Sequence, residues 1–160
     1  MSVSSSKPVP AKLRLAEPAD LDLLQPLVRS YHAFENIPSS AAERTAALRR
    51  LLADPALGGI WLIYADGAPP GYIALCRGFS IEFNGFDAFV DEFYLVPELR
   101  GQGIGGEVLR AVKQQARQMD INALHLEVAA DNRRARKLYA AAGFEAREKY
   151  RLMSARLDQQ

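Results

Sequence analysis

The sequence is poor in the residues that usually fix a small fold or carry metal chemistry. Its 160 residues include one cysteine, Cys76, so no disulfide can form within the chain. A lone thiol fits a reducing compartment. Two histidines, His32 and His125, and that cysteine give no metal-ligand spacing. Charge of one sign is also lacking: 20 basic residues stand against 19 acidic ones, a net charge of +1. Nothing in that balance points to nucleic acid or an anionic membrane as partner. Apolar runs fall far short of the ~20 residues a membrane span requires. The N-terminal MSVSSSKPVPA has no apolar core of the kind a secretory signal carries. The expectation is a soluble, cytoplasmic protein. A chain of this length buries roughly 70% of its unfolded surface and folds without staples.

What is present alternates between helical and strand periods. Residues 1–11, rich in Ser and Pro, read as a flexible tail, and residues 12–157 as a single domain. Leu13–Leu15 reads as a short strand, and Pro18-Ala-Asp20 starts a helix carrying Leu21, Leu24, Leu27, Val28 and Tyr31 at helical spacing. Ser40-Ala-Ala-Glu43 has the form of a capping box, with a helix to about Ala53. Ile60–Ala65 is an apolar run of strand length, and Asp66-Gly67 with Pro69-Pro70 makes a turn. Gly71–Phe83 and Phe86–Val96 are strand candidates joined by Asn84-Gly85, a strong hairpin signal. Ile104, Val108, Val112 and Met119 share a helix face, and Leu124–Ala129 reads as a strand. Asn132–Ala142 reads as a helix ended by Gly143, with closing strands from Phe144 and over Tyr150–Arg156. The expected fold is mixed α/β (α+β), an antiparallel hairpin feeding a β-α-β-α unit.

Arg100-Gly-Gln-Gly-Ile-Gly-Gly106 lies between a strand and a helix. Unpaired N–H groups at a helix start carry partial positive charge and suit a phosphate. Glycines let the backbone approach closely, and Arg100 adds a charged fork. The segment points to a cofactor bearing a diphosphate. Gly101, Gly103 and Gly106 also satisfy the dinucleotide fingerprint, with Glu127 about 20 residues on. Three features oppose that reading: Pro97–Arg100 separates the loop from its strand, the motif comes late in the chain, and too little sequence follows Glu127. Coenzyme A is the favoured occupant, with a plain tight turn as the alternative.

Val96-Pro-Glu-Leu-Arg-Gly-Gln-Gly-Ile-Gly-Gly106 resembles the R/Q-x-x-G-x-G/A motif of the GNAT (GCN5-related) N-acetyltransferases. Asn132-Arg-Arg-Ala-Arg-Lys-Leu-Tyr-Ala-Ala-Ala-Gly-Phe144 resembles the same family's N-x-x-A-x-x-L-Y-x-x-x-G-F motif. The order of elements from Leu13 to about Leu157 agrees as well. The resemblance implies a mostly antiparallel central sheet flanked by helices, with acetyl-CoA as cosubstrate. It implies that backbone N–H groups around Gln102, Gly103, Ile104, Gly105 and Gly106, with Arg100 and Gly101, hold the diphosphate. It further implies that Leu95 and Val96 bond the pantetheine arm, that Asn132 contacts the cofactor and that Tyr139 protonates the leaving thiolate. Asn132 and Tyr139 are two helical turns apart and share a face. Homodimers are common in the family.

A two-residue Asn84-Gly85 loop would pair Glu82 with Asp87, Gly78 with Asp91 and Arg77 with Glu92. Arg77 would then hold Glu92 ionised, leaving Asp91 the better proton acceptor. Glu82 facing Asp87 is unfavourable unless a cation lies between them or solvent screens them, a pattern suited to an amine substrate or to a solvated hairpin tip. Asp91-Glu-Phe-Tyr-Leu-Val-Pro97 is similar to the acidic strand of the family's polyamine and small-amine enzymes, so Asp91 and Glu92 both stand as candidate bases. The resemblance also implies that Tyr31 and Glu35, at the end of the first helix, border the acceptor. The reaction expected is acetyl transfer from acetyl-CoA to a primary amine by direct attack. A non-catalytic coenzyme A-binding module, or an enzyme acting on protein lysines or N-termini, are the alternatives.

Overall fold

The computed structural model describes residues 10–65 and 70–158. The expected turn over Asp66–Pro69 and nearly all of the expected tail lie outside the described residues. Five strands, β1 (Ala11–Leu15), β2 (Gly58–Ala65), β3 (Gly71–Ser80), β4 (Gly85–Tyr94) and β5 (Ile121–His125), form one sheet in the order β1-β2-β3-β4-β5. The first four pair antiparallel, and β4 pairs with β5 in parallel. Four helices flank the sheet: α1 (Leu21–Phe34), α2 (Ala41–Ala53), α3 (Ile104–Gln118) and α4 (Arg133–Ala141). This is the expected mixed, mostly antiparallel architecture. No described helix is long and apolar enough to cross a membrane.

Local chemistry explains most boundaries. Ser40 Oγ accepts from Glu43 N at 3.1 Å, and Glu43 Oε2 accepts from Ser40 N at 2.6 Å, closing the expected capping box. Ser40→Ala is expected to cost about 1 kcal/mol, read by chemical denaturation. The apolar run of β2 is buried on both faces, with Leu62 and Ile63 fully enclosed. The expected stripe of α3 is buried at Ile104, Val108 and Val112, and Leu109 and Ala116 extend it. Gly143 follows α4 at φ +87°, as a helix-ending glycine should.

Several expectations are corrected. Ala11, assigned to the tail, begins β1 and pairs with Ala65. Pro18–Asp20 is a 3₁₀ turn, with α1 proper starting at Leu21. The β3–β4 loop is Ile81–Asn84, four residues, because Ser80 pairs with Gly85 and Phe79 with Phe86. Asn84, at φ +58°, is the last loop residue rather than half of a two-residue turn. Gly78 therefore faces Asp87, Arg77 faces Ala88, and Glu82 lies in the loop without facing Asp87. A second shift falls between Ala74 and Leu75, which pair with Glu92 and Val90, so Asp91 is an extra residue bulged out of β4. The strand expected over Leu124–Ala129 runs instead over Ile121–His125. The closing strands expected from Phe144 and over Tyr150–Arg156 do not form within the protomer.

Candidate active site

β4 and β5 part company. Their pairing ends at Phe89↔His125, so Val90–Tyr94 have no partner on the β5 side and the two chains diverge. α4 and the end of α1 cover the gap. The result is a cavity of about 520 Å³ whose lining includes Tyr31, Glu35, Asp91, Glu127, Asn132 and Tyr139. The bulge places Asp91 here. No side-chain hydrogen bond is formed to its carboxylate among the described residues. Asp91 is exposed at the cavity wall, yet partial desolvation by the surrounding protein pushes its carboxyl above the usual range, an effect that the His32 charge would oppose. Tyr139 lines the same cavity, half-buried and 6.0 Å edge-on to Phe144. Burial first, then the Glu35 charge, raises its phenol.

Glu92 points elsewhere. Its Oε2 lies 2.5 Å from His32 Nε2, and its Oε1 accepts from the Tyr72 hydroxyl at 3.1 Å. His32 Nδ1 meets Ser39 Oγ at 2.7 Å, and Arg44 donates to the Ser39 carbonyl and hydroxyl at 2.6 and 3.2 Å. Since Ser39 Oγ accepts from Arg44, its own proton is free for Nδ1. That assignment leaves the other ring proton on Nε2, donated to Glu92. Burial raises the Glu92 carboxyl, while the His32 and Tyr72 bonds pull it down. The Arg77 partnership expected for Glu92 is thus replaced. Arg77 lies 3.9 Å over the Phe86 ring and donates to the Met119 carbonyl at 3.4 Å, its Nε without a partner.

The glycine-rich segment forms a tight approach to α3. Gly101 and Gly103 take φ +75° and +77°, and Gly103 stands at the N-cap of α3 with no side chain capping the helix. The first N–H groups of α3 are therefore left for another acceptor. A side chain at Gly103 would meet nothing within 4 Å, so the approach is open. A Cβ on Gly105 would stand 3.1 Å from Leu138 of α4, and one on Gly106 4.0 Å from it, so close packing constrains the first position and not the second. Arg100 does not reach over the turn; its Nε donates to the Leu95 carbonyl at 2.8 Å, and its guanidinium stacks near Phe34 and Tyr94. Arg134, at the start of α4, lies nearer, 3.5 Å from a Cβ built on Gly101. Beside the turn, a groove of about 540 Å³ is lined by Gly103, Gly106, Arg110, Lys113 and Arg117 among others.

Tyr31, Glu35, Asp91, Asn132 and Tyr139, all named from sequence, meet in one cavity. Asn132 also caps α4, its Oδ1 accepting from Ala135 N at 3.1 Å, which leaves its amide N–H₂ for the cavity. Glu82 and Asp87 do not join them. Glu82 pairs with Arg147 at 2.7 Å and Asp87 with His125 at 3.1 Å, towards the hairpin tip. The place of Glu127 on the cavity wall and the His32–Ser39–Arg44 chain were not foreseen. The spacing of Arg110, Lys113 and Arg117 along one helix face was the legible signal for the basic groove.

The Acetyltransferase (GNAT) family matches residues 24–144. The uncharacterized N-acetyltransferase YhfO of Bacillus subtilis (strain 168) is 29% identical over 133 residues, covering 83% of this chain and 89% of that protein. The thialysine N-epsilon-acetyltransferase of Bos taurus is 34% identical over 86 residues, a match spanning 51% of each protein. Among solved structures, an integron cassette protein from the mobile metagenome of Cole Harbour Salt Marsh superposes with a TM-score of 0.80 at 32% identity, covering 92% of this chain and 91% of that one. With the motifs on an uncapped helix start and a split sheet, the chain belongs to the GNAT acetyltransferase family, and it is an acyl-CoA-dependent N-acetyltransferase.

Proposed function

We propose that this enzyme transfers an acetyl group from acetyl-CoA to a small primary amine, by direct attack within a ternary complex. The observation that carries the reading is one cavity holding a carboxylate without a hydrogen-bond partner, Asp91, together with Tyr139. The uncapped N–H groups after Gly103 would hold the cofactor's diphosphate, with Arg134 close by. The free edge of β4 beyond Phe89, with Leu95 and Val96 after it, would bond the pantetheine arm like an added strand. An alkyl amine with a pKa of about 10.4 must lose a proton before it attacks. Asp91 takes that proton, directly or through water. The amine nitrogen then bonds to the thioester carbon, and backbone N–H groups at the end of β4 stabilise the oxyanion. Collapse breaks the C–S bond, Tyr139 protonates the departing sulfur, and the second proton leaving the amide nitrogen passes to the tyrosinate, directly or through water.

Glu35, Asp91 and Glu127 make the cavity acidic, which favours a cationic acceptor. Cys76 is a poor nucleophile, since burial raises its thiol to about 11, so no acyl-enzyme is invoked. The test is thiol release from acetyl-CoA across a panel of amines, polyamines, amino acids and peptides, with product masses. Acetylated small amines are expected. Acetylation confined to peptides would move the acceptor to proteins, and tight coenzyme A binding without turnover would make the chain a binding module.

A further inference from the structure

β4 changes face at its bulge. Residues paired across antiparallel strands share a face of the sheet. Val90 pairs with Leu75, and Glu92 pairs with Ala74, the next position along β3. Leu75 and Ala74 point to opposite faces, so Val90 and Glu92 do too. An unbroken strand would have put both on one face. The face of Val90 and Leu75 is closed core, with Leu75 fully enclosed. A carboxylate there would be costly without a partner. The bulge carries Glu92 over to the face of Tyr72, where His32 and the Tyr72 hydroxyl receive it. Asp91 is the residue left over, and it lies on the cavity wall.

His32 is itself held in place. Its ring projects from α1, with Nε2 2.5 Å from Glu92 Oε2 and Nδ1 2.7 Å from Ser39 Oγ. Arg44, on α2, donates to the Ser39 carbonyl and hydroxyl. Ile37 N donates to the His32 carbonyl at 2.8 Å, so the turn after α1 folds back on the same residue. A ring bonded at both nitrogens keeps one orientation. The neighbouring rings are packed as well, with Tyr31 6.3 Å from both Tyr72 and Tyr94. The cavity takes Tyr31 and Glu35 from this end of the helix, whereas His32 is turned to the strand.

We propose that His32, seated by Ser39 and Arg44, is a positioning residue: by holding Glu92 on the Tyr72 face it keeps the bulge in register and Asp91 at the cavity. The role rests on the reading of Asp91 as the base. His32 acts through Asp91 and not on the substrates. A misplacement of about 1 Å costs a catalytic group about 10²-fold in rate. Tyr72 does not substitute for His32, since its hydroxyl meets the other oxygen, Oε1.

The test is a double-mutant cycle on the full chain, with kcat and the KM for acetyl-CoA measured in the parent and in Asp91→Asn. In the parent, His32→Leu is expected to lower kcat about 10–100-fold, with the KM for acetyl-CoA within about twofold. His32→Gln, whose amide N–H₂ still reaches Glu92, should recover most of that loss. In the Asp91→Asn background, His32→Leu should change kcat by less than about threefold, because the group it positions is gone. Coenzyme A titration reports whether each variant is folded. Should His32→Leu fail to bind, Ser39→Ala carries the same comparison, with a several-fold loss in the parent and none in the Asp91→Asn background. Equal losses in both backgrounds overturn the proposal. So does an unchanged kcat in the folded variant, or a His32→Gln no better than His32→Leu. An Asp91→Asn enzyme as active as the parent overturns the base assignment itself, and the positioning role with it.

Discussion

Replacing Asp91 by Asn is expected to lower kcat for amine acetylation by about 10²–10⁴-fold, the usual contribution of a positioned general base. The substitution keeps shape and removes only the ability to accept a proton. Thermal stability should not fall, because the carboxylate has no hydrogen-bond partner to lose and remains in contact with solvent. Glu92→Gln should behave differently. The new side-chain amide keeps its oxygen for the His32 donor and turns its N–H₂ to the Tyr72 hydroxyl, which can accept, so kcat is expected to stay within about tenfold of the parent. Glu92→Ala, by contrast, orphans the half-buried His32 and the buried Tyr72 hydroxyl, and should cost about 1–3 kcal/mol of stability. Two neighbouring carboxylates are thus separated by what each touches.

Gly103→Val carries the second large effect. The position has φ +77°, which costs an ordinary side chain ~1–2 kcal/mol, and more when it is β-branched. The new side chain meets nothing within 4 Å of its Cβ, so it projects into the open approach before α3. A phosphate bonded to those N–H groups would be displaced, and losing one or two charge-assisted bonds corresponds to about 10–100-fold in affinity. Isothermal titration with coenzyme A should show that loss. Gly105→Ala is the control, since its Cβ meets only the flexible end of Leu138. It should weaken α3–α4 packing with little change in coenzyme A affinity. Equal losses in both variants would assign the glycines to packing alone.

Much of this was legible in the sequence because the signals were local. The Ser40 capping box, the buried run of β2, the stripe of α3 and Gly143 each depend on residues within a turn or two. The glycine segment was legible for the same reason, although the letters did not separate Gly103, which leaves the helix start open, from Gly105, which makes room for Leu138. What failed was non-local. Asn84-Gly85 fits both a two-residue turn and the end of a four-residue loop. The choice follows from Phe79 facing Phe86, ring centroids 5.5 Å apart, across the strands. The bulge at Asp91 accompanies contacts from Glu92 to His32, 60 positions away, and to Tyr72. No spacing rule reaches that far, so the pairings of Arg77 with Glu92 and of Gly78 with Asp91 could not be corrected from sequence. The strands read over Leu124–Ala129 and Tyr150–Arg156 have strand composition, yet a strand exists only where a partner offers a ladder. In this protomer neither finds one beyond His125.

The central claim is that Asp91, held apart from the Glu92–His32 chain by one bulged residue, is the group that takes the proton. The pH dependence of kcat at saturating acetyl-CoA and amine tests it most directly, because it reports groups in the bound complex. Protonation of Asp91 disables it, so kcat should fall as the pH drops through its carboxyl range, which partial desolvation by the surrounding protein places above that of an ordinary aspartate. The account predicts that this acid limb persists in Glu92→Gln and disappears from the residual activity of Asp91→Asn. A limb that vanishes in Glu92→Gln, or survives unchanged in Asp91→Asn, would contradict it.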